Sequence, residues 1–275
     1  MIELLVAFVL AIAAGGFGAL VGIGGGIVIV PVLTILLHVP IKIAIAASLI
    51  AVIATSTAAA APYIDRGLTD RRVGLVLLVA TTAGGVTGGL TAGLLDPRVL
   101  AGLFGLILVA VAAQMLRTKP PDDGATLLTN GEGAAFMSTF VEPVSGVETP
   151  YAVRRVGTGV ATSLVAGNIS GLLGVGGGII NVPTMNLIMG VPLRVATATS
   201  TYMLGATAVA SAILYYSRGQ VDPLVAAPVA LGVFLGSRTA SRLAHRVRQD
   251  ILRWIFIVVA LVFAAQMFAR AAGLA

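Results

Sequence analysis

The feature that most constrains this chain is a phrase it contains twice. Gly22-Ile-Gly-Gly-Gly-Ile-Val-Ile-Val-Pro31 recurs as Gly174-Val-Gly-Gly-Gly-Ile-Ile-Asn-Val-Pro183, each time inside apolar sequence. In a soluble protein a glycine cluster is an ordinary turn. In lipid, every backbone group released from a helix must be met by protein or by a water-filled cavity. Paired interruptions at corresponding positions of two halves are the sequence mark of a transporter's binding site.

Composition decides that the solvent is lipid. Of 275 residues, 58% are hydrophobic and 10% charged, whereas a soluble domain carries about 25% charged residues. The chain reads as an all-α polytopic membrane protein. Apolar stretches of roughly the 17 to 25 residues needed to span a bilayer occur at 42–64, 73–95, 99–116, 195–216, 222–240 and 252–269. Two longer ones, 4–37 and 156–189, contain the glycine phrases. The absence of cysteine removes disulfides and thiolate chemistry. The start, Met1-Ile-Glu-Leu, lacks the positive charge of a secretory signal, so the first apolar segment reads as retained. The net charge of +6 lies in basic residues at segment ends. That pattern reports topology rather than nucleic-acid binding.

A constant offset of 152 aligns two halves without a gap. Gly22 pairs with Gly174, Pro31 with Pro183, Lys42 with Arg194, Ser48 with Ser200, Thr55 with Thr207, Arg66 with Arg218, Asp70 with Asp222 and Gln114 with Gln266. Such register is duplication. The chain divides into a first membrane repeat over 1–117, a polar linker over 118–150 and a second repeat over 151–275. The linker is the one plausible extramembrane element, expected as a solvated loop, although Phe136 and Phe140 would suit a membrane surface.

Basic residues test the orientation of the halves, because cytoplasmic loops collect Lys and Arg. If 4–37 crosses once, the repeats are parallel and the 17 basic residues split nine against eight. If the chain instead turns back at the glycine phrase, the halves are inverted. One face then collects Arg66, Arg71, Arg72, Arg117, Lys119, Arg154, Arg155, Arg194, Arg238, Arg242, Arg246, Arg248 and Arg253, leaving only Lys42, Arg98, Arg218 and Arg270 opposite. The asymmetry predicts a hairpin at each phrase, inverted repeats, termini outside and a cytoplasmic linker. Residues 27–37 would form a helix of only about 16 Å at 1.5 Å per residue, so short re-entrant arms are expected.

A helix starting near Gly25 or Gly26 presents free amides and the positive end of its dipole to whatever precedes it. This is an anion cradle. Gly24, Gly25 and Gly26 with Gly176, Gly177 and Gly178 are therefore candidate substrate-binding residues, and Pro31 and Pro183 mark the first turn or a kink. For Gly84, Gly85, Gly88, Gly89 and Gly93, close helix packing accounts for the small residues. Gly22-Ile-Gly-Gly-Gly-Ile lacks the final glycine of a dinucleotide fingerprint and the Lys-Ser or Lys-Thr of a P-loop. All eleven acids fall at segment ends or in the linker, where a cation path or carboxylate relay would place one at depth.

Hydroxyl and amide groups remain to hold an anion. Ser48, Thr55, Ser56 and Thr57, with Asn181, Thr199, Ser200, Thr201 and Thr207, are available, although such hydroxyls often bond their own backbone. Ser48 and Ser200 stand out because they match across the repeats. Asn181 replaces Ile29, an asymmetry suited to specificity. Gln114 and Gln266, His38 and His245 lie at segment ends and suit the interface.

The repeated Gly-x-Gly-Gly-Gly before a proline, the Val-Pro with a basic residue leading to Ser48 or Ser200, and the Arg66-Gly67 and Arg218-Gly219 helix endings resemble the TauE/SafE family of sulfite exporters and toluene-sulfonate uptake permeases. The resemblance covers both halves. It implies about eight transmembrane helices and secondary transport, without an organic cofactor, of a small sulfur-containing anion such as sulfite, a sulfonate, sulfoacetate or thiosulfate. The expected location is the bacterial inner membrane. Rocking of one half against the other would give alternating access. Proton or sodium coupling, direction and oligomeric state stay open, as do transport of another organic anion and a scaffold role. An intramembrane protease is disfavoured, because no Ser with His, paired Asp or metal-binding set lies at depth.

Overall fold

The computed structural model describes residues 2–21, 25–117, 134–141, 148–243 and 249–274. The first half runs α1 (Ile2–Val21), α2 (Gly26–Pro31), α3 (Ile41–Asp65), α4 (Arg71–Leu94) and α5 (Pro97–Arg117). Strands β1 (Ala134–Val141) and β2 (Glu148–Arg154) follow. The second half repeats the order as α6 (Val156–Leu173), α7 (Gly178–Pro183), α8 (Leu193–Ser217), α9 (Pro223–Leu243) and α10 (Gln249–Ala271). The two short helices, α2 and α7, each continue as a π-helical segment, Val32–Leu36 and Thr184–Ile188. Pro31 and Pro183 sit at these transitions. A proline removes an N–H from the helical ladder and displaces the carbonyl one turn back, and the widened π turn absorbs the mismatch.

Six helices are long and apolar enough to cross a membrane: α3, α4, α5, α6, α9 and α10. The chain is a multi-pass membrane protein. The 25-residue α8 has the length as well, but Thr197, Thr199, Ser200, Thr201 and Thr207 dilute its apolar character. The 20-residue α1 is a further long helix.

At both glycine phrases the chain folds back. Gly25, which opens α2, lies against Ala14 and Gly15 of α1. In the second half Gly177 lies against Ala166, Asn181 against Ser163, and Gly159 against Met189. The backbone closes the second hairpin at its base, where the Arg154 N–H donates to the Met189 carbonyl at 2.9 Å. The arms are unequal, which corrects the expectation of two short arms. The outgoing helices have 20 and 18 residues, because the glycines come only after a full-length helix, whereas the returning arms span 26–36 and 178–188.

Helix directions follow from the side chains that meet. Gly84 and Gly88 of α4 press on Leu164 and Asn168 of α6, and Gly232 and Gly236 of α9 press on Phe8 and Ile12 of α1, so both pairs run parallel. The contacts are backbone to backbone, close enough that a Cβ on Gly84 would lie 2.0 Å from the Leu164 carbonyl oxygen. The mated helices α3 and α8 instead run antiparallel, with Ser56 on Thr201 and Ile50 facing Val209 and Ile213. In α5 and α10, Gly102 meets Ala271 and Gly105 meets Ala264, again antiparallel.

Helix ends are built alike in the two halves. Asp70 caps α4 by accepting from the Arg72 and Val73 amides at 3.0 and 3.1 Å, and Asp222 accepts from Leu224 at the start of α9. Arg66-Gly67 and Arg218-Gly219 end α3 and α8 with the glycine left-handed, at φ 66° and 67°. The Leu68 N–H then reaches the Tyr63 carbonyl, and Gln220 reaches Tyr215, satisfying last-turn carbonyls. Arg66 caps α3 through its own backbone N–H. The Arg218 side chain donates to Gly89 and Leu90, and Lys42 donates to Gly93, placing two cations at the negative end of α4.

The segment expected as a solvated loop departs from that expectation wherever it is described. β1 and β2 pair antiparallel, with Ser138 opposite Tyr151, and β2 runs through the 150/151 boundary. Tyr151 and Val153 are buried with Val73 and Leu77 of α4, Met185 and Met189 of the second returning arm, and Val195 and Met203 of α8. Phe136 and Phe140 pack on the same cluster. Tyr151, Ala152 and Val153 are buried in succession along β2.

Candidate functional site

The two breaks are built by backbone conformations that glycine supplies. Gly25 and Gly177 are the residues before α2 and α7, with φ 72° and 66°, and Gly174 and Gly176 are left-handed as well. A side chain in this region is strained. The first bonds inside the short helices run from Val28 to Gly25 and from Ile180 to Gly177. The amides of Gly26 and Ile27, and of Gly178 and Ile179, therefore precede any intrahelical acceptor.

The breaks touch. A Cβ on Gly26 would lie 2.3 Å from the Gly174 carbonyl oxygen and 2.8 Å from Ser48 Oγ. Ser48, fully buried on α3, donates to the Gly174 carbonyl at 2.7 Å and lies 3.4 Å from the Gly26 carbonyl. One hydroxyl thus ties both breaks together. Gly176 packs against Val52 and Leu204, one residue from each central helix.

The other expected site residues occupy different situations. Gly24 lies outside the described residues. Thr201 returns its hydroxyl to the Thr197 carbonyl at 2.8 Å, while its own carbonyl accepts from Ser56 at 2.7 Å. Thr55 and Thr57 likewise bond one turn back, and Thr199 accepts from the Asp70 amide. In this conformation the hydroxyl protons of Ser48 and Thr201 go to protein carbonyls, so neither is offered to a ligand. Asn181 is buried and accepts from Ser163 at 3.1 Å. Ser200 and Thr207 are buried with no hydrogen-bond partner among the described residues.

Ser163, Ser170 and Ser56 also stand at this centre, although the sequence did not single out the first two. Ser163 was findable once a hairpin was assumed, since an antiparallel return from Gly177 brings it opposite Asn181. Ser170 carried no such signal. The described acids Asp65, Asp70, Asp96 and Asp222 stand at helix ends. Among the described residues, no three His, Asp or Glu gather as metal ligands. Two apolar surface grooves run along Leu78, Val79 and Val86 and along Ile50, Val209 and Ile213.

A polar latch lies at the end of α4 where the strands dock. The Tyr151 hydroxyl donates to Asp70 at 2.5 Å. Burial raises the Tyr151 pKa, and the bond to Asp70 raises it further.

Known proteins align along nearly the whole chain. The family model described as "Sulfite exporter TauE/SafE" matches residues 7–267. The "Probable membrane transporter protein YunE" of Bacillus subtilis is 26% identical over 268 residues, covering 94% of this chain and 95% of its own. A second Bacillus subtilis relative, the "Probable membrane transporter protein YdhB", is 24% identical over 92% of this chain and 94% of its own. The "Probable membrane transporter protein MJ0441" of Methanocaldococcus jannaschii is 22% identical, covering 87% and 85%. No solved structure matches.

Proposed function

This chain belongs to the sulfite exporter TauE/SafE family, and from that premise we propose that it is a secondary transporter of a small sulfur-containing oxyanion. Sulfite, a sulfonate, sulfoacetate and thiosulfate are the substrates to test. Family and relatives point to a membrane transporter rather than an enzyme. One observation carries the substrate site: the two glycine breaks meet, with Gly26 at the start of α2 against the carbonyl of Gly174 at the end of α6 and Ser48 between them. Free first-turn amides and helix dipoles favour an anion there, and the described acids Asp65, Asp70, Asp96 and Asp222 stand at helix ends.

We read the two halves as inverted repeats. Antiparallel pairing of the mates α3 with α8 and α5 with α10 supports this, because copies related by an axis along the membrane normal would keep mates parallel. Charge then assigns the strand pair and linker to the cytoplasm and both termini to the outside of the inner membrane. Alternating access divides the molecule between its two glycine-joined helix pairs. The glycine contacts bind α1 to α9 and α4 to α6 without space for a methyl group, so the bodies that rock are α1–α3 with α9 against α6–α8 with α4.

Purified protein in liposomes, given radiolabelled sulfite, an alkanesulfonate and thiosulfate, is expected to accumulate at least one of them. No flux of any would overturn the substrate class. Accessibility tags at the termini and at residue 130 check the topology, and a cytoplasmic N-terminus would refute it.

A further inference from the structure

Most buried hydroxyls here hand their proton to the carbonyl one turn back, as Thr34, Thr55, Thr81, Thr201 and Ser211 do. Ser170 and Ser200 do not. Both are fully buried, and neither has a hydrogen-bond partner among the described residues. A buried hydroxyl left without a partner is costly, on the order of 1–3 kcal/mol, and a back-bond on the same helix is the usual relief.

Ser170 sits at the second break, and the repeat sets Ser200 beside it. The Ser170 Cβ is 3.5 Å from where a side chain on Gly177 would begin. Ser200 holds in the second half the place that Ser48 holds beside Gly26 in the first, one turn before Leu204, whose methyl lies on Gly176. Ser163 and Asn181 extend this polar wall. At the first break the offset of 152 puts Ala11, Gly18 and Ile29 in place of Ser163, Ser170 and Asn181; Ala11 and Ile29 are buried, Ala11 against Gly232 of α9. Ser48, the hydroxyl on that side, is spent on the Gly174 carbonyl.

We propose that the second break grips the oxyanion head of the substrate through the hydroxyls of Ser170 and Ser200, while the first break receives an apolar body. The chain then selects an organic monoanion charged at one end over a compact inorganic oxyanion. An anion with oxygen atoms on all sides would leave one face against carbon, where its charge is desolvated without hydrogen bonds. The inference rests on the transporter reading above and narrows its substrate.

Binding to the full-length purified protein, measured by calorimetry with propane-1-sulfonate, sulfite and thiosulfate, tests it. Propane-1-sulfonate is expected to bind about tenfold or more tighter than either inorganic anion. Ser170→Ala and Ser200→Ala are each expected to weaken it by about tenfold, the usual weight of one hydrogen bond to a charged group. Thr239→Val, whose hydroxyl bonds Leu235 on an exposed face, is the control expected to bind as wild type. Melting temperatures separate lost affinity from lost folding. Equal or tighter binding of sulfite or thiosulfate overturns the inference while leaving the transporter reading intact. Wild-type affinity in both serine variants does the same, the hydroxyls then meeting only water. Binding of none of the three anions overturns both.

Discussion

The two glycine breaks share a backbone and differ in what surrounds it. Gly25 and Gly177 take the same left-handed turn, and the prolines that follow open the same π segments. Yet one hairpin is lined by Ala11 and Ile29 and the other by Ser163, Ser170 and Asn181. Duplication kept what the turn requires and released what it does not. Backbone geometry tolerates only glycine, whereas the walls can diverge in polarity while still packing. The difference teaches where discrimination resides: the shared features make a site, and the unshared ones make it choose.

Valine at either turn tests the shared part. Gly25→Val and Gly177→Val place a β-branched residue in the left-handed region, costing at least 1–2 kcal/mol, and Gly177→Val also meets the Ala166 carbonyl. Both are expected to abolish liposome uptake while the protein still partitions into membranes. Retained flux in either would show that its break is not needed. Next in size are the packing mates Gly84 and Gly236. Each would place a Cβ 2.0 Å from a backbone carbonyl, of Leu164 and Ile12 respectively. Leucine at either site is expected to cost roughly 3 kcal/mol by overpacking, with equal falls in melting temperature. Unequal falls would break the equivalence of the two seams.

Exchange across the breaks probes the unshared part. Asn181→Ile gives the second wall the first wall's residue and is expected to raise KM about tenfold with little change in melting temperature. Ile29→Asn buries an amide among carbons and is expected to destabilise by about 1–3 kcal/mol without improving transport. The smallest effect concerns the docked strands, which have no counterpart in the first half. Tyr151→Phe removes the bond to Asp70 and is expected to cost about 1 kcal/mol. A tyrosine whose pKa is raised on folding contributes its full stability below its ordinary value of 10.0 and loses it as pH rises beyond. The melting temperature should therefore fall more steeply above about pH 10 in wild type than in Tyr151→Phe.

Helix positions were legible in the sequence because lipid demands long apolar runs, and the offset of 152 made each half a check on the other. The hairpins were legible indirectly, through the basic residues at segment ends. Unequal arms were not, since glycine marks where a helix stops and says nothing of how long it has already run. The strand pair was hidden for a related reason: a polar segment of mixed composition reads as a loop until Tyr151 and Val153 find an apolar surface made by residues far along the chain. At the site, the sequence singled out Ser48, and the structure sets its hydroxyl on the Gly174 carbonyl. Matching across repeats identifies position, while the direction of a hydroxyl proton depends on which carbonyl the other half brings within reach.

The broadest helix contacts all join one half to the other: α1 with α9, α4 with α6, α3 with α8 and with α9, α4 with α8, α5 with α10. Each half therefore lacks its own interior. A chain ending at 117 would leave the glycine face of α1 with nothing to lie against, as would one starting at 151 with the face of α6. The two pieces made as separate polypeptides in one cell should find each other and co-purify, while either alone should be degraded. Before fusion, an ancestral half would have needed a second copy of itself to cover these faces, and the linker now fixes in one polypeptide what was then a chance encounter.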